Sequence, residues 1–544
     1  MNKFLLLIII FLSPVILLSQ VENVPVANPV YLFLEHAEVF GYLPHFSSSS
    51  LPLQRKEIIE ALKNIRKHEN DLSESELSTL LKFEKEFEIQ KRDNAVLFNS
   101  NSDSTQVLSD RFFSNDEKFI YHYKDSSNSI SLSPLAYGEV MIKKNQRANE
   151  TIHAMLGGYG VRLSGTLSNN FGYYLQASNG TLLTGSRSLA LEDQKIQQNV
   201  KFSKFISDLD FSESHVTYNQ DWFFASIGKE TRLQGSGINE KLVISENAPP
   251  MDGIQLGAKF SNFEYRFSHY SLLSYPVTNV QEWINAELIS KYLTTHRFSI
   301  RPSWGEFSFF EEVVYSGRGY DLGYLNPLSL LFSTNNSMLD RDNALMGADF
   351  TVRPFKRLQI KGTYILDDLI FSKIGTNFWS NKSAWNIAVE SYFKQFTFGI
   401  EYSRVEPYTF THANFQDNYT NDSMMIGGNL KPNSQEMSGY IKWYWGQRYP
   451  NIFRVIITNH GDNIYNAQDS LIRNVGGDPR YSKRDWDSPT VKLLDGNFKI
   501  QQIYEFSTGI ELVRGFNLSG LIQFVRINTG DYIYFRIKFS YEDF

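Results

Sequence analysis

From about residue 130 onward, apolar and polar positions alternate one by one, and helical spacing is absent except for a doubtful stretch at 189–204. In residues 357–366, Leu358, Ile360, Tyr364 and Leu366 stand against Arg357, Gln359, Lys361 and Thr363. Residues 499–512 repeat the rhythm, with Ile500, Tyr504, Phe506, Ile510 and Leu512 against Lys499, Gln501, Glu505, Ser507 and Glu511. So do residues 396–404, where Phe396, Phe398, Ile400 and Tyr402 oppose Thr397, Glu401 and Ser403. In residues 263–270, Phe263, Tyr265 and Phe267 oppose Glu264, Arg266 and Ser268. Successive side chains of a strand point to opposite faces, so each run has one apolar and one charged face. A sandwich core cannot bury so many charges unpaired, whereas a watery lumen can hold them. Period two sustained over about nine residues is also the length of a strand that crosses a bilayer. The pattern predicts an all-β transmembrane antiparallel barrel.

The connections give the strand count. Tight turns are expected at 168–170, 219–221, 261–262, 302–305, 353–356, 394–395, 446–450 and 515–517. Long loops are expected at 180–206, 229–250, 272–287, 317–342, 368–382, 405–434 and 459–497. Short and long alternate, as periplasmic turns and outer loops do. Short outer hairpins at 143–150 and 528–530 bring the total to nine outer and eight inner connections, hence about eighteen strands. The even count puts both termini on the periplasmic side. The last run carries Ile533, Phe535, Ile537, Phe539 and Tyr541 on one face, with the terminal Phe544 out of register with them. A terminal Phe is typical of chains handed to the outer-membrane barrel assembly machinery.

The first part of the chain follows the other period. Residues 30–43, 53–67 and 73–91 read as three amphipathic helices, the second with Ile58, Leu62 and Ile65 on one face. Ser73 and Glu76 form a capping-box pattern at the start of the third. The expected organisation is a signal peptide over 1–19, an N-terminal helical region over 20–92 acting as a periplasmic plug or lid, a linker over 93–128 with one weak strand near 119–123, and the barrel over 129–544. An independent small bundle is the blander reading of the helices. Their outline is also similar to a cell-wall-binding helix-loop-helix module.

Composition sharpens this. Lys3 precedes a short apolar run, Phe4 to Leu18, ending at Ser19, which reads as a secretory signal. The run is shorter than the ~20 residues of a transmembrane anchor and contains Pro14. Loss of that signal removes one lysine and leaves a net charge of 52 − 59 = −7. Weak acidity without a basic patch argues against a nucleic-acid partner. There is no cysteine, so no disulfide framework and no lipoprotein attachment. Aromatics make up 15% of the chain, yet mean hydropathy is −0.32. Aromatic girdles around a polar lumen produce that combination.

No catalytic constellation stands out. HExxH and GxSxG are absent, and Gly235-Ser236-Gly237 lacks the lysine of a phosphate loop. Glu311-Glu312 and Asp367-Asp368 are adjacent on strands, so the two carboxylates of each pair point to opposite faces. No cofactor, no metal and no enzyme activity is expected. Two outer loops instead share the side chains that grip sugars, flat aromatic faces with planar guanidinium, amide and carboxylate groups. The first carries Arg318, Tyr320, Tyr324, Asn326, Arg341, Asp342 and Asn343; the second carries Tyr465, Arg480 and Trp486.

One insert is unlike the others. Residues 228–257 read GKETRLQGSGINEKLVISENAPPMDGIQLG. The run Leu242-Val243-Ile244 is too apolar to leave in water, and Asn247, Pro249 and Pro250 fix the return to the wall. The expectation is a loop folded into the barrel mouth as a constriction. A strand, a GxG loop, LxxSxNAPP and a second strand resemble the centre of the capsule assembly (Wzi-type) outer-membrane proteins. YSGRGYDLGYLNPLSLLF at 315–332, DRDNALMGADF at 340–350 and TYILDDL at 363–369 resemble that family's second block. The resemblance implies an eighteen-stranded barrel in the outer membrane of a Gram-negative bacterium, embedded in its lipid. It implies a non-catalytic role in holding or organising capsular or exopolysaccharide at the cell surface. A porin-like channel for small solutes and, behind it, an outer-membrane hydrolase are the alternatives.

Overall fold

Eighteen alternating runs become strands, each antiparallel to the next. In the computed structural model, which describes residues 20–88, 94–98, 112–204, 208–274 and 289–542, they are as follows. The first six are β1 (Ser129–Asn145), β2 (Glu150–Leu167), β3 (Phe171–Gly185), β4 (Asp208–Gln220), β5 (Phe223–Glu230) and β6 (Met251–Phe260). Then come β7 (Phe263–Leu272), β8 (Lys291–Ile300), β9 (Gly305–Ser316), β10 (Asn343–Phe355), β11 (Leu358–Asp368) and β12 (Lys382–Phe393). The last six are β13 (Phe396–Val405), β14 (Ser434–Trp443), β15 (Asn451–Asp462), β16 (Asn497–Val513), β17 (Phe516–Ile527) and β18 (Gly530–Tyr541). The barrel closes where β18 pairs with β1, Tyr532 opposite Asn145 and Tyr541 opposite Ala136. The expected signal segment 1–19, most of loop 272–287 and Phe544 lie outside the described residues.

The alternation falls as the pattern requires. On β11, Gln359, Lys361, Thr363 and Asp367 are buried inside, while Leu358, Ile360, Tyr364 and Leu366 face out. On β13, Thr397, Glu401 and Ser403 point in, and Phe398 and Ile400 are exposed on the outer wall. The result is the apolar, aromatic outer belt of a barrel that sits in a bilayer.

Three helices fill the end of the barrel that carries the short turns: α1 (Val30–Phe40), α2 (Arg55–Arg66) and α3 (Glu74–Glu86). Helix α1 is buried on nearly every side, as befits a helix surrounded by protein. Gly41 ends it in the left-handed region, φ 81°, with its N–H on Glu38 O. Helix α3 opens on the Ser73–Glu76 capping box. The region read as a linker also pairs: Asn94–Phe98 lies parallel to Glu117–Lys124, which is antiparallel to the start of β1.

The long loops stack inward from the other end. Residues 231–250 lie deepest, residues 406–433 cover them, and residues 463–496 form the outermost layer. Tyr419 Oη, from the middle layer, donates to Val243 O (2.7 Å). Asn418 Nδ2 donates to Pro479 O of the outermost layer (2.8 Å). The stretch at 189–204 becomes three short helices, Arg187–Ala190, Gln194–Gln197 and Val200–Lys204.

Candidate functional site

The helical plug and the inward loop meet inside the barrel. Ser50 and Leu51 pair with Gln234 and Leu233 as a two-residue ladder, and Gly235 N–H donates to Ser49 O (2.9 Å). The loop is held to the wall by polar groups. Ser236 N–H donates to Thr363 Oγ1 (3.0 Å) and its hydroxyl to Asp349 (2.9 Å). The N–H groups of Ile238 and Glu240 both reach the Glu401 carboxylate, at 2.6 and 2.9 Å. A Cβ at Gly237 would overlap Glu240 O and the Asn386 amide, so the turn needs glycine there.

Leu242, Val243 and Ile244 are fully buried. They join a cluster with Leu293, Phe310 and Val314 of the wall and Phe410, Tyr419 and Ile426 of the middle layer. Each such side chain removed from water contributes roughly 1.5–3 kcal/mol. Asn247 is buried, its amide donating to Met425 O (2.8 Å). Pro249 O accepts from Asn421 Nδ2 (3.0 Å), and Pro250 follows at the foot of β6.

The plug is anchored by buried polar side chains. His36 Nε2 lies 2.8 Å from Glu76 Oε1, its Nδ1 lies 2.6 Å from Thr397 Oγ1, and Tyr392 Oη donates to Glu76. Burial holds the His36 imidazole below its ordinary pKa. Burial pushes Glu76 up, but hydrogen bonds from His36 and Ser73 outweigh it and leave the carboxyl below its ordinary value. Burial, with the Glu436 and Glu401 carboxylates nearby, drives Glu240 well above the usual range.

A cavity of about 740 Å³ lies beside the plug, with Glu139, Arg162, Glu213, Arg536 and Lys538 on its wall. Gln20 and Glu117 line it toward the short turns, and Lys201 and Asn421 toward the long loops. A second cavity, about 720 Å³, lies at the short-turn end beside Lys56, Asn219 and Arg266.

The two sugar-rich loops part company. In residues 463–496, Trp486 is 76% exposed with the Arg484 guanidinium 5.2 Å from its ring. Arg480 is exposed, pairs with Asp478 (2.6 Å) and lies over the Tyr481 ring, which is 6.2 Å from Tyr465. In residues 317–342 the polar groups are turned inward on one another. Arg318 makes a bidentate pair with Asp342 (2.8 and 2.6 Å), and the buried Tyr324 hydroxyl donates to Asp342 (2.8 Å). Asn343 is buried, donating to Asp417 O (3.0 Å). Tyr320, Asn326 and Arg341 are exposed. This loop folds back against the outer wall instead of standing at the rim: Tyr265 Oη donates to Pro327 O, and outward-facing Glu311 accepts from Leu331 N–H (2.7 Å). The alternation in β9 carried the signal, since Phe307, Phe309, Glu311, Val313 and Tyr315 place a carboxylate on the outer face.

Residues that sequence reasoning missed are Ser47 to Ser50. A run of four serines reads as a flexible link, yet all four are buried. Ser48 Oγ donates to Glu38 (3.0 Å), and Ser49 Oγ to Glu306 (2.6 Å).

No protein-family model matches the sequence, and neither does any curated protein. Among solved structures, the chain is similar to Wzi of Escherichia coli, an outer-membrane protein involved in group 1 capsule assembly and described as a carbohydrate-binding β-barrel. The similarity has a TM-score of 0.57 at 12% identity, over 96% of this chain and 98% of that one. OccAB4 of Acinetobacter baumannii aligns at TM-score 0.45 and 9% identity, over 76% and 97% of the two chains. OprD of Pseudomonas aeruginosa aligns at 0.43 and 12%, over 76% and 94%. By fold, this chain is a closed eighteen-stranded antiparallel β-barrel similar to that of Wzi.

Proposed function

We propose that this barrel binds and organises capsular or exopolysaccharide at the cell surface, without catalysis. The observation that carries the reading is the outermost loop layer. It presents Trp486, Tyr465, Tyr481 and Arg480 on a base of two further packed loops, with the Arg484 guanidinium held by Asp487 (2.8 Å) beside the Trp486 ring, so the surface is preformed. Aromatic faces beside guanidinium groups suit sugar rings and uronate carboxylates. The carbohydrate binding described for Wzi, a barrel of the same fold, supports the same assignment. Deleting the gene in the producing bacterium tests it: polymer is still made but is shed into the medium. Normal attachment in the deletion strain contradicts the proposal.

One observation favours a second reading, a path for small solutes. The 740 Å³ cavity has lining residues toward both ends of the barrel. Single-channel recording in planar bilayers separates the two, since a large and stable open state is that of a porin. Purified barrel that shortened the polymer on incubation would point to a hydrolase.

A further inference from the structure

The outer wall of β7, β8 and β9 breaks the rule for a lipid-facing surface. Antiparallel register places His269 beside Thr294, His296 beside Phe267, and Glu311 beside His296, all on the outward face. Bare against acyl chains, those groups would be costly. Residues 317–342 cover them. The helix Leu331–Ser337 starts on the Glu311 carboxylate, which accepts from the N–H of Leu331 (2.7 Å) and of Phe332 (3.4 Å). Tyr324 and Leu331 are fully buried against Tyr292, Val313 and Tyr315 of the wall.

The segment reaches far down that wall. Pro327 O accepts from Tyr265, the third residue of β7 counted from the short-turn end. A loop confined to the rim could not make this contact. Its other face carries exposed apolar side chains, Leu322 at 82%, Leu328 at 86% and Leu339 at 91%, with Leu330 and Phe332, and polar Asn326, Asp340 and Arg341 are exposed among them. This patch is continuous with the outer belt, where Phe307 and Phe309 of β9 are exposed beside it. Five exposed apolar side chains on one short segment are not the surface of a loop built for water or sugar.

We infer that residues 317–342 form a membrane-inserted flap, whose leucines contact the acyl chains of the outer membrane. The flap exchanges a polar stripe of the barrel wall for an apolar one. Its polar pairs, Arg318 with Asp342 and Tyr324 with Asp342, then serve as internal struts. The inference rests on the outer-membrane barrel fold and not on polysaccharide binding.

The cysteine-free chain suits a direct test. Leu328→Cys and Leu339→Cys are labelled singly with bimane in full-length protein reconstituted into liposomes. Ile400→Cys on the belt and Gln468→Cys in an outer loop serve as references, and heat-modifiable gel migration confirms folding of each. Doxyl-labelled lipid should quench the two flap labels to within about twofold of the Ile400 label, with little quenching by aqueous iodide. Iodide quenching that matches Gln468 overturns the inference. So does shielding from both quenchers together with a disulfide between copies when the unlabelled variants are oxidised, which would make the covering partner a second chain.

Discussion

Arg297 and Asp349 form a bidentate ion pair, at 2.6 and 2.9 Å, between two strands that are not neighbours. Arg297 comes from β8 and Asp349 from β10, and both side chains are completely buried. Ser49 of the plug accepts from Arg297 (3.0 Å), and Ser236 of the inward loop donates to Asp349 (2.9 Å). One pair thus ties wall, plug and loop together. A buried pair of this kind is neutral at best against an apolar replacement, but breaking it strands a charge.

Asp349→Ala should therefore destabilise the barrel by up to about 3–5 kcal/mol, because Arg297 loses its bidentate partner and keeps Glu306, at 3.5 Å, as its carboxylate partner. Arg297→Met with Asp349→Ala should recover a large part of that loss. Denaturant midpoints in detergent micelles measure both, and proteolysis within residues 231–250 should increase only in the single variant.

Acidification should loosen the plug. The folded state holds His36 neutral below its ordinary pKa, so the unfolded chain takes up the proton first as pH falls through about 6.5. Glu76, also held below its ordinary value, adds stability that is lost lower still, as pH falls below about 4.5. Hydrogen-exchange protection of residues 30–86 should therefore drop in two steps. His36→Gln, which keeps a donor for Glu76, should remove the upper step and leave the lower one. A single step unchanged by His36→Gln contradicts this.

Glu240 works in the opposite direction. Its raised pKa means the folded state keeps a proton that the unfolded chain releases above about 4.5, so its penalty grows as pH rises through that value. Glu240→Gln should be more stable than the parent at pH 8 and no more stable at pH 4. Chemical denaturation at the two pH values reads the difference.

The outermost loop layer carries the proposed sugar contacts. Trp486→Ala should weaken binding of the polymer about 2- to 13-fold, the effect of losing roughly 0.5–1.5 kcal/mol of aromatic contact. Arg480→Gln should weaken binding of an acidic polymer most at low salt. Leu328→Ser, on the flap, should leave binding unchanged. Surface plasmon resonance with purified barrel separates the three.

The barrel was legible because its lumen is polar. Charged side chains such as Lys361 and Glu401 at every second position cannot belong to a dry core, so they declare both the strand and its inward face. The apolar run Leu242-Val243-Ile244 carries its burial openly in the same way. The Ser47–Ser50 run gave no such signal, since hydroxyls that bind Glu38, Arg297 and Glu306 look the same in sequence as hydroxyls that bind water. The sugar-rich appearance of residues 317–343 came from composition alone. Composition does not distinguish an Arg318 that faces a ligand from one locked to Asp342. The outward register of Glu311 does, because a carboxylate facing lipid demands a cover.

The most direct test of the central claim is equilibrium binding of the purified, reconstituted barrel to the surface polysaccharide of the bacterium that produces it. The prediction is saturable binding, weakened about 2- to 13-fold in Trp486→Ala, with no large open state in bilayer recordings of the same preparation. No binding to that polymer, together with a large stable conductance, would contradict it.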